Sequence, residues 1–175
     1  ILTKVNSYHL NNEHKRVGEY IQMIINGNKV SLITDAGTPC ISDPGFLLIR
    51  EAIKNNIIIT CLPGPTAFVP ALVMSGLPSD SFIFEGFLPR KKGRKSKLYE
   101  ISQNTKTTIL YESPFRIIKT LSDMKETIGS DRKIAIVREI SKIYEEVFRG
   151  TIEEAILEYN ERTIKCEFVI CIDKA

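Results

Sequence analysis

The sequence predicts an α/β fold in two lobes, and three observations lead to that prediction. Short runs of β-branched residues alternate with segments whose apolar residues recur at helical spacing. Loops rich in glycine, proline, aspartate and threonine follow several of those runs. The composition, 43% hydrophobic and 26% charged over 175 residues, is that of an ordinary globular protein. In the first part of the chain, up to the turn at 76–78, the short connections further predict parallel strands with right-handed crossovers.

The first lobe is predicted over residues 1–79, because the Gly-Leu-Pro-Ser-Asp turn at 76–80 is the best domain boundary. Its residue spacing predicts helices over about 12–25, 46–55 and 66–75, and strands over 30–34 and 57–62. Two strands are few for a doubly wound sheet. Since the chain also begins with Ile1 rather than Met, we expect the N-terminal strand or strands of this lobe to be absent from the sequence.

The second lobe is predicted over residues 80–175. Strands are predicted over 82–85, 107–112, 133–139, 146–150 and 167–172, and the helices between them are expected to end near 103, 128 and 159. Ser113 is the expected cap of the second of these helices, and Pro114 is expected at its first helical position.

Three loops that follow predicted strands have the composition of ligand-binding loops. They cover residues 35–45, 63–67 and 112–116. In α/β proteins ligands bind outside the carboxyl ends of the strands, where such loops present backbone N–H and C=O groups. Each loop taken alone is also explained as a tight turn. Several of them on one side of a sheet favour a ligand site.

The motifs of several other ligand classes are absent from the sequence. It contains no GxGxxG dinucleotide motif and no Walker A lysine loop. The four cysteines have no CxxC spacing, and His9 and His14 fit no zinc pattern, so we expect free thiols and no metal. No apolar run approaches the roughly 18–20 residues that a membrane span requires, and we expect a cytoplasmic protein.

The basic segment, residues 90–97, has six cationic side chains in eight positions. They are Arg90, Lys91, Lys92, Arg94, Lys95 and Lys97. A solvated helix start is the ordinary explanation of such a run. However, cations at a helix N-terminus oppose the helix dipole, at a cost of about 0.3–1 kcal/mol each. That cost favours an anionic partner, above all nucleic acid, and the patch can be extended by Lys15, Arg16, Arg116 and Lys119.

Charged residues at strand ends are the candidates for catalysis. Glu112, Glu139 and Lys142 lie at or beyond the ends of predicted strands, where catalytic groups of α/β proteins collect. Arg138 and Glu139 are equally well explained as a structural ion pair.

These motifs together resemble the tetrapyrrole methylase superfamily and, within it, the bacterial 16S ribosomal RNA cytidine 2′-O-methyltransferase family. The matching segments are residues 34–39 with 41–45, 62–67, 75–78, 84–89, 111–114 with 116, and 138–139 with 142, 145–147 and 149–151. They follow the family's order and cover nearly the whole chain. Asp-Ala-Gly-Thr-Pro, and Phe-Glu-Gly-Phe-Leu-Pro with a basic continuation, are typical of the RNA branch.

The resemblance implies two lobes of the tetrapyrrole methylase type, usually in a homodimer, with S-adenosylmethionine in the cleft between them. It places the cofactor against Ala36, Gly37, Thr38, Ile41, Thr66, Ala67, Glu112 and Ile140. The implied reaction is methyl transfer to the ribose 2′-hydroxyl of a cytidine in 16S rRNA of the small ribosomal subunit. The catalytic candidates then assist that hydroxyl, while the basic segment and Arg116 bind RNA phosphates.

Two departures from the family pattern leave alternatives open. The family's first strand, the Pro-Ile-Gly-Asn-Leu-like loop after it and an acidic segment have no match in this sequence, and Cys166 stands where the family usually has glycine. If that glycine has a positive φ, the cysteine needs a shifted turn. A tetrapyrrole methyltransferase with the same cofactor and a non-catalytic RNA-binding fragment remain alternatives to the RNA methyltransferase.

Overall fold

Contacts divide the chain into two units, Ile1–Thr66 and Ala67–Ala175. The structure, a computed structural model, describes residues 4–162 and 165–175. Unit 1 contains helices α1 (Glu13–Ile25) and α2 (Phe46–Lys54). Unit 2 contains, in chain order, α3 (Phe68–Ser75), β1 (Phe82–Phe87), α4 (Arg94–Gln103), β2 (Thr107–Glu112), α5 (Ile117–Ile128), β3 (Lys133–Arg138), β4 (Glu146–Thr151), α6 (Ile152–Asn160) and β5 (Phe168–Ile172). The predicted α/β class is confirmed.

Unit 1 is built on the packing of α1 against α2. Tyr20 and Ile21 of α1 and Leu48 and Ala52 of α2 form its buried cluster. The apolar residues of each helix recur every three to four positions, so they share one face and bury it together.

The two strands predicted in unit 1 are not formed among its described residues. Segments 30–34 and 57–62 belong to no sheet. Several of their apolar side chains are open to solvent, and Ile58 is 93% exposed. β-branched residues favour extended backbone, but a strand requires a hydrogen-bonded neighbour, and within unit 1 these segments do not pair.

Unit 2 is organised around a five-stranded mixed sheet with strand order β1-β2-β5-β3-β4. Only β1 and β2 pair in parallel, whereas β2–β5, β5–β3 and β3–β4 are antiparallel. The β3–β4 pair is antiparallel for a local reason, because β3 and β4 form a hairpin through residues 139–145 with no helix between them. The other two antiparallel pairs follow from the direction of β5, which runs between β2 and β3.

Helices cover both faces of this sheet. Side chains of α4, α5 and α6 form one buried cluster with Leu110, Ile136 and Ile170 of the strands. On the other face, α3 packs against Ile109, Val137 and other strand residues. None of the described helices is long and apolar enough to cross a membrane.

The predicted domain boundary near residue 79 differs from the division that the contacts show. Ala71 and Leu72 of α3 are buried on the sheet of unit 2, so α3 belongs with that sheet. The turn at 76–80 is consequently a connection within unit 2.

Helix α5 begins later than its predicted start at Pro114. Arg116 is its N-cap residue and Ile117 its first helical residue. Residues 113–116 form a turn, in which the backbone N–H of Arg116 donates to Ser113 O at 3.1 Å. Ser113 therefore closes the turn rather than capping the helix.

Candidate functional site

The cofactor residues predicted in unit 1 lie on two loops that contact each other. The Thr38 hydroxyl donates a hydrogen bond of 2.9 Å to the carbonyl oxygen of Pro65. A Cβ atom on Gly64 would lie 3.4 Å from Thr38 Oγ1, so glycine permits this close approach. Loop 35–45, with Ala36, Gly37, Thr38 and Ile41, is thereby joined to the segment that ends in Thr66.

Loop 35–45 has an unusual backbone. Cys40 and Ser42 have φ values of 72° and 57°, in the left-handed region that side chains disfavour. Gly45, with a φ of 140°, ends the loop, and a Cβ atom there would overlap the side chains of Cys40 and Leu32. Thr34 donates from its hydroxyl to Asp43 across the base of the loop. Such backbone outliers concentrate at ligand sites, which supports the ligand-binding interpretation of this loop.

The candidate residues of unit 2 lie at one end of its sheet. Phe168, at the start of β5, pairs with Glu112 on one side and with Arg138 on the other. The loops that follow β2 and β3, and residue Cys166, therefore meet at this end. Sequence reasoning placed Glu112 and Glu139 at strand ends, and the register brings those ends together.

Glu112, predicted for catalysis and cofactor binding, is buried and hydrogen-bonded within unit 2. Its side chain is only 1% exposed. The carboxylate accepts hydrogen bonds from the Ser113 backbone N–H at 2.8 Å and from the Thr120 hydroxyl at 2.6 Å. The third partner of this carboxylate is Arg116, whose Nη2 lies 2.8 Å from Glu112 Oε1. The alternation of β2 turns Glu112 toward the start of α5, so its carboxylate is occupied inside unit 2.

Glu139 and Lys142 form an ion pair at the tip of the β3–β4 hairpin. Lys142 Nζ lies 2.8 Å from Glu139 Oε1. This hydrogen bond, with a second from Cys166, lowers the pKa of Glu139, and the same pairing raises the pKa of Lys142. Both groups are therefore charged at neutral pH. Arg138 pairs instead with Glu146, at 2.6 Å, so the alternative Arg138–Glu139 ion pair is not formed.

The hairpin tip is held in a strained conformation. Glu139 and Ser141 have φ values of 52° and 62°. The backbone N–H of Ser141 donates to Glu145 Oε2 at 2.7 Å, and that of Lys142 donates to Glu139 O at 2.9 Å. Ile140, a predicted cofactor residue between them, is half-buried against the cluster beneath α3. These bonds fix the tip and the position of its ion pair.

Ala67, a further predicted cofactor residue, precedes α3 as its N-cap residue. The hydroxyl of Tyr111 lies at this helix start. Burial raises the pKa of Tyr111, and hydrogen bonds from the backbone N–H groups of Phe68 and Ala67 partly offset that rise. Tyr111 was not predicted as a site residue, although its place in the matching segment 111–114 pointed to this region.

Arg94, predicted to bind RNA, is buried within unit 2. It is only 8% exposed. Its guanidinium donates to Asp123 Oδ2 at 2.7 Å, to Thr120 Oγ1 at 2.7 Å and to Pro89 O at 3.2 Å. Each nitrogen of the guanidinium therefore has a partner inside unit 2.

Two other predicted RNA-binding cations also have partners within unit 2. Lys97 lies 3.2 Å from Glu85 and 2.8 Å from Glu100, and these hydrogen bonds raise the pKa of Lys97. Arg116 is held by Glu112 and lies 6.0 Å from the ring centre of Phe87. The remaining cations of the basic segment are exposed, and no ion pair joins them to the residues that the structure describes. They are Arg90, Lys91, Lys92 and Lys95.

Sequence reasoning did not identify Thr120, which links the buried side chains of Glu112 and Arg94. Its hydroxyl donates to Glu112 and accepts from Arg94. A threonine inside a predicted helix gives no sequence signal of such hydrogen bonds, because its partners are distant in sequence. For Asp123 a weak signal was present, since Lys119 and Asp123 have the i,i+4 spacing of a helical ion pair.

No three His, Cys, Asp or Glu side chains of residues 4–162 and 165–175 are grouped so as to hold a metal ion.

Comparisons with known proteins identify relatives along nearly the whole chain. The model of the family Tetrapyrrole (Corrin/Porphyrin) Methylases matches residues 4–156. The ribosomal RNA small subunit methyltransferase I of Halalkalibacterium halodurans is 45% identical over 99% of the chain, and that of Synechocystis is 41% identical over 98%. The chain spans about 60% of the length of each of these relatives.

Solved structures share the fold at much lower identity. The methyltransferase CobJ superposes with a TM-score of 0.69 over 98% of this chain and 74% of its own, at 18% identity. A uroporphyrin-III C-methyl transferase from Thermus thermophilus, complexed with S-adenyl homocysteine, gives a TM-score of 0.61 at 16% identity, over 94% of this chain and 74% of its own.

Proposed function

This chain belongs to the tetrapyrrole (corrin/porphyrin) methylase family, and from that premise we propose that it takes part in methyl transfer from S-adenosylmethionine to ribosomal RNA of the small subunit. The observation that carries the proposal is its 45% identity, over 99% of its residues, to a protein named ribosomal RNA small subunit methyltransferase I. The finer proposal is that the acceptor is the ribose 2′-hydroxyl of a cytidine in 16S rRNA.

The residues present fit a nucleoside cofactor. S-adenosylmethionine would supply a methyl group already activated on a sulfonium. In unit 1, the joined loops leave Ala36, Gly37 and Ile41 exposed, and glycines keep the backbone there free of side chains that would block close approach. We propose that Ala36, Gly37, Thr38, Ile41 and Thr66 of unit 1 contact the cofactor, while Ala67, Glu112 and Ile140 remain predictions of the family resemblance.

Glu139 and Lys142 remain the catalytic candidates of unit 2. A ribose hydroxyl is a weak nucleophile and becomes a better one as its proton is accepted and its developing negative charge is stabilised. The ionised Glu139 can accept the proton, and the protonated Lys142 can stabilise the oxygen. The fixed backbone of the hairpin tip favours this role, because positioning supplies much of the rate of a transfer reaction.

RNA is the acceptor that best explains the basic segment. Arg90, Lys91, Lys92 and Lys95 are exposed and have no ion-pair partner in the described part of the chain. Solvated cations of this kind bind phosphates, and the release of counterions from RNA favours the complex. A cytoplasmic location and a homodimer are further predictions of this proposal.

A tetrapyrrole methyltransferase is the second candidate, because the solved neighbours include a uroporphyrin-III methyltransferase. At 16% identity that likeness supports the fold alone, and a tetrapyrrole acceptor leaves the exposed cations unexplained. A non-catalytic RNA-binding role is the third.

A transfer assay separates the three candidates. The chain is incubated with S-adenosylmethionine labelled in its methyl group and with small-subunit RNA, large-subunit RNA or uroporphyrinogen. We expect label in small-subunit RNA only. Label in uroporphyrinogen would support the second candidate, and RNA binding without any transfer would support the third.

A further inference from the structure

Phe115 is an apolar side chain held in solvent at the candidate RNA surface. It is 95% exposed, although burial of a phenylalanine side chain stabilises a fold. Its place is the turn 113–116 between β2 and α5, which is closed by backbone hydrogen bonds. Phe115 therefore stays outside the core while the turn around it is ordered.

Arg116, the residue after Phe115, connects this turn to residues 87–88, which lie just before the basic segment. Arg116 packs over the ring of Phe87 and donates from Nη1 to Leu88 O at 3.5 Å. Its pairing with the buried Glu112 fixes the other side of the guanidinium. The turn and residues 87–88 are thus neighbours, and Phe87 is itself 43% exposed.

Four cations lie together close to this junction along the chain. Arg90, Lys91 and Lys95 line one hollow with Lys119 of α5, and the carboxylates of Asp123 and Glu126 line it as well. Lys119 pairs with Asp123 yet keeps most of its side chain in solvent. Arg90 follows Leu88 by two residues and Lys119 follows Phe115 by four, so the hollow adjoins the junction at both points of the chain.

We propose that Phe115 stacks on an unpaired base of RNA, while Arg90, Lys91, Lys95 and Lys119 contact the flanking phosphates. This inference rests on the proposed RNA substrate. Single-stranded RNA is recognised by aromatic side chains that stack on splayed bases beside a cationic groove. Paired RNA hides the faces of its bases, so it does not fit an isolated aromatic ring. A protein partner fits less well, because its docking surface would need a wider apolar patch and this one is rimmed by positive charge.

The absence of tryptophan from the chain allows a direct test. Phe115→Trp places a single fluorophore at the proposed stacking position, and Leu157→Trp places one at an exposed site on α6 as a matched control. Each variant is titrated with an unpaired RNA of about twelve nucleotides, a length that covers one single-strand site, and with the same RNA annealed to its complement. We expect the unpaired RNA to quench the indole of the Phe115→Trp variant but not that of the Leu157→Trp variant, with weaker quenching by the duplex.

Affinity provides the second measurement. Phe115→Ala should weaken binding of the unpaired RNA by about 5- to 150-fold, the range found when a base-stacking aromatic is removed. Phe115→Trp should keep near wild-type affinity, because it keeps an aromatic face. For the wild-type chain, the plot of log affinity against log salt should have a slope of about −3, as four phosphate contacts predict.

The outcomes distinguish this inference from the proposed function. Salt-dependent RNA binding that Phe115→Ala leaves unchanged would overturn the stacking role and leave the RNA substrate standing. No binding of either RNA by the wild-type chain would count against both. The indole emission wavelength of the Phe115→Trp variant is also measured at several protein concentrations without RNA. A shift with concentration would show that a second copy of the chain covers this surface, and would overturn the inference.

Discussion

At the scale of single residues, Thr120 supplies one hydrogen bond to each of two buried charged side chains. Its hydroxyl is the only atom that bonds to both Glu112 and Arg94 among the described residues. Hydrogen bonds offset the free energy that is needed to remove a charged group from water. A buried charged group that loses one of them is therefore destabilised.

Thr120→Val should therefore destabilise the protein, although the two side chains have nearly the same shape. We expect the free energy of unfolding to fall by about 1–3 kcal/mol in denaturant titrations. Thr120→Ser, which keeps the hydroxyl and removes one methyl group, should cost clearly less. If both variants lose the same free energy, packing rather than the hydrogen bonds explains the site.

Cys166 has a backbone conformation that glycine adopts easily and cysteine disfavours. Its φ is 71°, the region in which the family's usual glycine is at ease. The sequence raised this possibility without deciding it, because φ depends on the path of the chain into β5.

Cys166→Gly should raise the free energy of unfolding by about 1 kcal/mol, because it relieves left-handed strain. Cys61→Gly is the matched control, since Cys61 is also exposed but does not have a positive φ; it should lower stability. Equal effects of the two variants would show that the strain at Cys166 is negligible.

At the scale of elements, the buried polar chain joins α4 to α5. Arg94 begins α4, and Asp123, to which it donates, lies on α5. Burial alone would raise the pKa of Asp123, but hydrogen bonds from Arg94 and Lys119 outweigh that effect and lower it. This pairing also compensates for a cation at the start of α4, which the helix dipole disfavours.

The stability that Asp123 contributes should depend on pH. A carboxylate with a lowered folded-state pKa stabilises the fold above its unfolded pKa of about 3.9 and loses that contribution as the pH falls through the folded value. The difference in unfolding free energy between wild type and Asp123→Asn should thus be largest near neutral pH and shrink below about pH 4. Ser122→Ala, which changes no titrating group, should give a difference that does not vary with pH.

The elements of unit 2 and both helices of unit 1 were largely predictable from the sequence, whereas the two strands predicted in unit 1 are not formed. The predicted strand 107–112 and the observed β2 coincide, because its buried apolar run lies between clear turn signals. The runs at 30–34 and 57–62 have the same local pattern but do not pair with another strand, since pairing depends on partners that a local pattern does not specify. The antiparallel order of β5 is likewise a property of the whole sheet.

At the scale of the whole molecule, the sequence identified the loops of the site better than it identified the function of each side chain. The motifs at 35–45, 63–67 and 112–116 and the basic segment are local, so they could be recognised without a structure. Whether a charge is free or buried is decided by distant partners. For that reason the sequence did not show that Glu112 and Arg94 are buried and paired, whereas Arg90, Lys91, Lys92 and Lys95 are exposed.

The central claim, methylation of small-subunit RNA, is tested most directly in cells. Mass mapping of 2′-O-methylated nucleotides is carried out on small-subunit RNA from cells with and without the gene for this chain. We predict the loss of one 2′-O-methylcytidine, restored when the gene is returned. An unchanged map would contradict the claim.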